Sequence, residues 1–113
     1  MNNKPINVSF VSQKLKSHFN TLKSGKFEDK RLFDFIDRAI DDLKKNPICG
    51  TKIKKMLWPK EYKQKYSINN LWKYDLPNAW RIIYTIETDE VTIVSIILEW
   101  FSHKEYEKRF NYL

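Results

Sequence analysis

Residues 71–110, "LWKYDLPNAWRIIYTIETDEVTIVSIILEWFSHKEYEKRF", decide the fold. Apolar residues alternate or run on in strand fashion over Leu71–Leu76, Trp80–Ile86 and Val91–Leu98. Pro77-Asn78 and Thr88-Asp89-Glu90, which separate these runs, are good turn chemistry. The reading is a three-stranded antiparallel meander, followed by a short amphipathic helical tail that carries His103, Tyr106 and Arg109. Into this otherwise apolar sheet the sequence places Lys73, Asp75 and Arg81. Charges inside β-branched strands are a poor choice for packing and point to function. The register of the first hairpin stays open. A two-residue loop of Pro77-Asn78 sets Tyr74 opposite Arg81, whereas a three-residue loop sets Asp75 opposite it and puts Lys73 on its face.

Upstream, Pro5–Phe10 reads as a strand with Ile6, Val8 and Phe10 on one face. Ser12 is placed to cap a helix whose stripe is Val11, Leu15, His18, Phe19 and Leu22, with Gly25 at its end. His18 on that stripe reads as a boundary core residue. A second helix is expected over Glu28–Lys45, with Leu32, Ile36, Ala39, Ile40 and Leu43 at helical spacing and Asn46-Pro47 as its stop. Acids crowd its first turns and lysines its last, which complements the helix dipole. Helices this close in sequence form an antiparallel hairpin.

The expected architecture is therefore α+β: one domain over residues 1–113 in the order β-α-α-β-β-β, an N-terminal helix hairpin packed on an antiparallel meander, and a helical tail. The second and third strands of the meander are apolar on both faces and belong at the sheet centre. The helix hairpin covers one face. On this reading the basic connector and the tail cover the other only in part, leaving a concave, positively charged surface. Within the connector, Pro59 is placed to start a helix of one or two turns, and Trp58 to anchor the loop to the core.

Composition narrows the function. Aromatics at 15% and apolar residues at 42% exclude a disordered chain despite 31% charged residues. No apolar run approaches the ~20 residues of a membrane span, and no secretory leader pattern opens the chain. The single cysteine, Cys49, suits a reducing cytoplasm and reads as a small half-buried residue. The net charge of +7 is unevenly spread. From Lys44 to Lys73 there are nine lysines and one acid, Glu61, while the remainder carries 12 basic and 13 acidic residues. A localised block of this kind is either a solvated face or the footprint of a polyphosphate binder. Lys52, Lys54, Lys55, Lys60, Lys63 and Lys65, interleaved with Trp58, Tyr62 and Tyr66, and joined by Arg109, are the expected nucleic-acid contacts.

Cleaving RNA without a metal requires a base for the 2′-hydroxyl proton, cations for the phosphorane charge and an acid for the leaving 5′-oxygen. Arg81 offers a planar fork for phosphate and Lys73 a point charge. His103 titrates near neutrality, and Tyr106, at i+3 from it on a helical tail, can donate a proton or stack on a base. Plainer roles exist: Arg81 as a structural bridge to Asp75 or Glu99, Lys73 as an edge gatekeeper, His103 and Tyr106 as helix packing.

Taken together, the strand, the helix hairpin, the Asn-Pro stop, "LWKYDLPNAWRIIYTI" and the "HKEYEKRF" tail resemble the RelE/ParE superfamily of type II toxin–antitoxin modules. The resemblance implies a toxin, a cognate acidic antitoxin as partner, mRNA on the ribosome as target, no cofactor and no metal. It implies catalytic roles for Lys73, Arg81 and Tyr106, with His103 as acid or base. Asp75 stands where such toxins often carry a second lysine; it is either a base or a neutralising partner of Arg81. ParE-like members of the superfamily inhibit DNA gyrase instead, and a non-catalytic toxin of that kind is the alternative.

Overall fold

A computed structural model describes residues 4–110 of the chain. Its elements in chain order are β1 (Ile6–Phe10), α1 (Gln13–Thr21), α2 (Phe27–Lys45), β2 (Thr51–Lys52), α3 (Lys60–Lys65), β3 (Trp72–Asp75), β4 (Arg81–Thr88), β5 (Ile93–Phe101) and α4 (His103–Phe110). The α+β class and the order of the major elements are as the sequence implies. The sheet has five strands in the order β1-β5-β4-β3-β2. Its two central strands, β4 and β5, are the two whose sequences are apolar on both faces. No helix among the described residues is long and apolar enough to cross a membrane.

Two features of the sheet go beyond the expected meander. β1 runs parallel to β5, pairing Ile6 with Ile93 and Phe10 with Ile97, so the sheet is mixed. The two-residue strand β2 adds an edge beside β3, pairing Thr51 with Lys73. Strand β5 starts two residues later than the apolar run suggests and ends three residues later, because Glu99, Trp100 and Phe101 continue its pairing with β4. Between Ile83 and Tyr84 that pairing skips Leu98, a bulge that leaves Leu98 and Glu99 both on the side of the second core, where Glu99 accepts from the Tyr62 hydroxyl.

Helix α1 is capped by the Ser12 hydroxyl, which accepts from Leu15 N at 3.1 Å. At the start of α2, the Asp29 carboxylate accepts from Lys26 N. A Cβ on Gly25 would lie 2.3 Å from that same carboxylate, so the glycine makes room for the cap. Leu32, Ile36, Ala39 and Leu43 are buried along one stripe of α2 and meet Ile82, Tyr84 and Ile97 of the sheet. His18 is exposed rather than at the core boundary, its ring 5.1 Å from that of Trp100. Cys49 is also exposed, because it ends a single 3-10 turn outside the sheet.

The opposite face of the sheet is the main correction to the sequence reading. It is not a concave, half-bare surface. Ile53, Trp58, Tyr62, Tyr106 and Phe110 close over Leu71, Ile83, Leu98 and Phe101 as a second core. Trp58 Nε1 donates to Ile53 O at 2.9 Å and ties the connector into a closed loop. The Tyr62 hydroxyl donates to Glu99, and Arg109 reaches Glu61 at 3.6 Å and Glu99 at 3.5 Å. The connector thus buries its aromatics and leaves its lysines in water.

Burial raises the pKa of Tyr62, Tyr74 and Tyr84; carboxylates Glu99 and Asp42 add to the effect on the first two, and Tyr84 is pushed up to about 12. The fold favours the protonated phenols, whereas an unfolded tyrosine ionises near ~10. Stability is therefore expected to be complete below about pH 10 and to fall as the pH rises from there toward 12. Urea denaturation at pH 8 to 12 checks this. The Tyr84→Phe variant should show a shallower alkaline loss than the parent, and an equal slope would rule out Tyr84 as a contributor.

Candidate functional site

The residues of interest gather where the first hairpin meets the tail. Pro77-Asn78-Ala79 forms the loop, Leu76 N bonds Trp80 O at 2.8 Å, and Asp75 then pairs with Arg81. The three-residue loop is the one the structure adopts. Lys73, two residues before Asp75, shares its face. On the other side Arg81 pairs with Phe101, the last residue of β5. Helix α4 follows immediately, opened by a capping box in which Ser102 Oγ accepts from Glu105 N and Glu105 Oε1 accepts from Ser102 N.

This topology sets the Tyr106 ring against both cations. Arg81 Cζ lies 5.1 Å from the ring centroid and Lys73 Nζ 5.8 Å. Asp75 lies between them, with Oδ1 at 3.0 Å from Arg81 Nε and 3.6 Å from Lys73 Nζ. The Nε contact has ion-pair distance without hydrogen-bond alignment, so that buried nitrogen is held by charge. Arg81 Nη1 donates to Ala79 O. The Arg81 side chain is 16% exposed and Asp75 59%, so the arginine is an inner wall of the site and the carboxylate its rim.

Of the five residues expected to carry chemistry, four meet here: Lys73, Asp75, Arg81 and Tyr106. Tyr106 is only 2% exposed, its ring stacked on Phe110 in the second core. Burial makes it a platform under the cations rather than a surface on which a base could stack. His103 is the first residue of α4, and its partner is Glu107, 3.3 Å from Nε2, both about half exposed.

The lysines divide from Arg109. Lys52, Lys54, Lys55, Lys60, Lys63 and Lys65 are all exposed on the connector and α3, above the buried Ile53, Trp58 and Tyr62. Arg109 is instead engaged by Glu61 and Glu99 and lies over the Phe101 ring at 5.4 Å, clamping α4 to α3 and β5. Its guanidinium faces two protein carboxylates, unlike the lysines of the connector. Sequence reasoning passed over Gly50, where an added Cβ would lie 2.4 Å from Lys73 O and 2.6 Å from the Tyr84 hydroxyl. The signal was available, since the chain has only two glycines.

Chemically, the cluster offers one bidentate cation, one point cation and one exposed carboxylate on a rigid apolar floor. That set can bind a phosphodiester and accept a proton beside it. In comparisons with known proteins, the model of the ParE toxin of type II toxin–antitoxin systems, parDE, matches residues 11–98, a span that holds Lys73, Asp75 and Arg81 and stops short of α4. No curated protein and no solved structure gives a significant match.

Proposed function

The chain belongs to the ParE toxin family, within the RelE/ParE superfamily of type II toxins that act against an antitoxin partner, and from its charged cluster rather than from that membership we propose that it halts growth by cleaving mRNA on the ribosome. The observation that carries this reading is the convergence of Arg81, Lys73 and Asp75 on the Tyr106 ring. In the proposed reaction Arg81 holds the scissile phosphate through its fork and Lys73 offsets the charge that builds on it. Asp75 takes the 2′-hydroxyl proton and the 2′-oxygen attacks phosphorus. The bond to the 5′-oxygen breaks, leaving a 2′,3′-cyclic phosphate. His103, from the start of α4, returns a proton to the departing 5′-oxygen. The exposed lysines over the second core add sequence-independent attraction to the RNA backbone.

A second reading is a gyrase-directed toxin without nuclease chemistry. Two observations favour it: the family match is to the ParE toxin, and the Asp75 carboxylate partly neutralises the two cations a phosphate would need.

Induced expression of the parent and of Arg81→Ala separates them. The cleavage reading expects growth arrest with new mRNA 5′ ends inside coding regions, and a loss of cleavage of on the order of 10²-fold or more in the folded variant. Arg81→Lys should be nearly as damaging, since a point charge does not reproduce a bidentate grip. Arrest with intact mRNA and accumulating gyrase-linked DNA breaks would establish the second reading. Full toxicity in Arg81→Ala would remove this cluster as the site in either case.

A further inference from the structure

The geometry points to Ala79 as the positioning residue of Arg81, acting through a turn held in a left-handed backbone conformation. Asn78, at φ 60° and ψ 30°, and Ala79, at φ 62°, are the non-glycine residues at positive φ among the described residues. Asparagine tolerates that region. Alanine resists it, because its Cβ crowds the following carbonyl. Two successive residues at positive φ favour Asn-Gly, and this chain has Asn-Ala. The surrounding structure over-determines the strained pair: Leu76 N bonds Trp80 O at 2.8 Å, and Asp75 pairs with Arg81 directly beyond.

The left-handed turn delivers a carbonyl. Ala79 O accepts from Arg81 Nη1, so the side chain folds back over the loop that precedes its own strand. The guanidinium is then fixed on three sides: by Ala79 O, by Asp75 Oδ1 at 3.0 Å from Nε, and by the Tyr106 ring at 5.1 Å. A fork held this way meets a phosphate in one orientation, which is how a positioned cation gains over a mobile one. The backbone conformation of Ala79 sets that direction, and no side chain at 79 is needed for it. The inference rests on Arg81 being the phosphate-holding group of the proposed cleavage.

Two proteins test it beside the parent. Ala79→Gly keeps the carbonyl and relieves the strain but lets the turn move. A version with D-alanine at position 79, assembled by ligation at Cys49, relieves the strain and keeps the turn rigid, because D-residues prefer positive φ. Both should melt about 3–6 °C higher than the parent. The Arg81 Nε–H order parameter from 15N relaxation should fall in Ala79→Gly and stay at the parent value with D-alanine. Cleavage of ribosome-bound mRNA should drop roughly tenfold in Ala79→Gly and be restored with D-alanine. An Arg81 order parameter unchanged in Ala79→Gly, or D-alanine behaving like glycine, overturns the positioning role. If the parent itself cleaves nothing, the proposed function fails, and the relaxation data still decide whether the turn holds Arg81.

Discussion

Tyr106→Ala is expected to destabilise the protein by about 3–5 kcal/mol, the range for removing a buried aromatic without refilling its space. The ring is 2% exposed, stacks on Phe110 at 4.6 Å between centroids, and supports Arg81 and Lys73 from below. Its loss therefore opens a cavity in the second core and leaves two half-buried cations without the π-face beneath them. Tyr106→Phe keeps the ring and should keep both the core and the platform. Urea denaturation of the two variants is the check. A cost below about 1 kcal/mol for Tyr106→Ala would mean that α4 does not dock on the sheet in solution as described, and the platform role would go with it. If Tyr106→Phe is as stable as the parent yet inactive, the hydroxyl takes part in the reaction and the ring alone does not suffice.

Gly50→Ala is expected to cost on the order of 2–3 kcal/mol, an overpacking penalty at a site with little room to relax. The new Cβ would lie 2.4 Å from Lys73 O, a backbone atom of β3 that no rotamer change can move aside. It would also lie 2.6 Å from the Tyr84 hydroxyl, which accepts from Gly50 N at 3.2 Å and donates to Pro47 O at 2.7 Å. Relief requires β2 to lift from β3, which removes the Thr51 pairing that holds Lys73 at that edge. Lower stability should thus accompany weaker growth arrest. Thermal melting, together with arrest measured at low temperature where the variant stays folded, separates the two effects. Parent-like melting would show that β2 is not held against β3.

Much of the candidate site was legible as a set of residue types. Lys73, Asp75 and Arg81 stood out because a charge in an apolar strand has no packing reason to be there, and the structure brings them together with Tyr106. The hairpin register was not legible, since two- and three-residue loops are both compatible with Pro77-Asn78-Ala79. The choice is made by the left-handed turn and the Leu76–Trp80 hydrogen bond. Nor was the role of Arg109 legible, because its partners Glu61 and Glu99 come from two other elements. Asn70 is similar: its amide accepts from Ile86 N and donates to Ile86 O, both at 2.8 Å, extending the sheet beyond β3 with a side chain in place of a strand.

The sequence by itself determined what depends on local periodicity. Alternating and continuous apolar runs specify β4 and β5 as central strands, and the stripe of Leu32, Ile36, Ala39 and Leu43 specifies which face of α2 is buried. Only the tertiary structure decided what lies across a face. The parallel pairing of β1 with β5 joins segments more than eighty residues apart, which no local period encodes. The second core is the sharpest case. Trp58 and Tyr62 sit in an irregular segment whose lysines dominate its average hydropathy, and in a loop nothing repeats to show which side chains turn inward. Burial there is decided by the sheet face that needs covering, so the aromatics go down onto Ile83 and Leu98 while the lysines, with stems long enough to reach water, stay out.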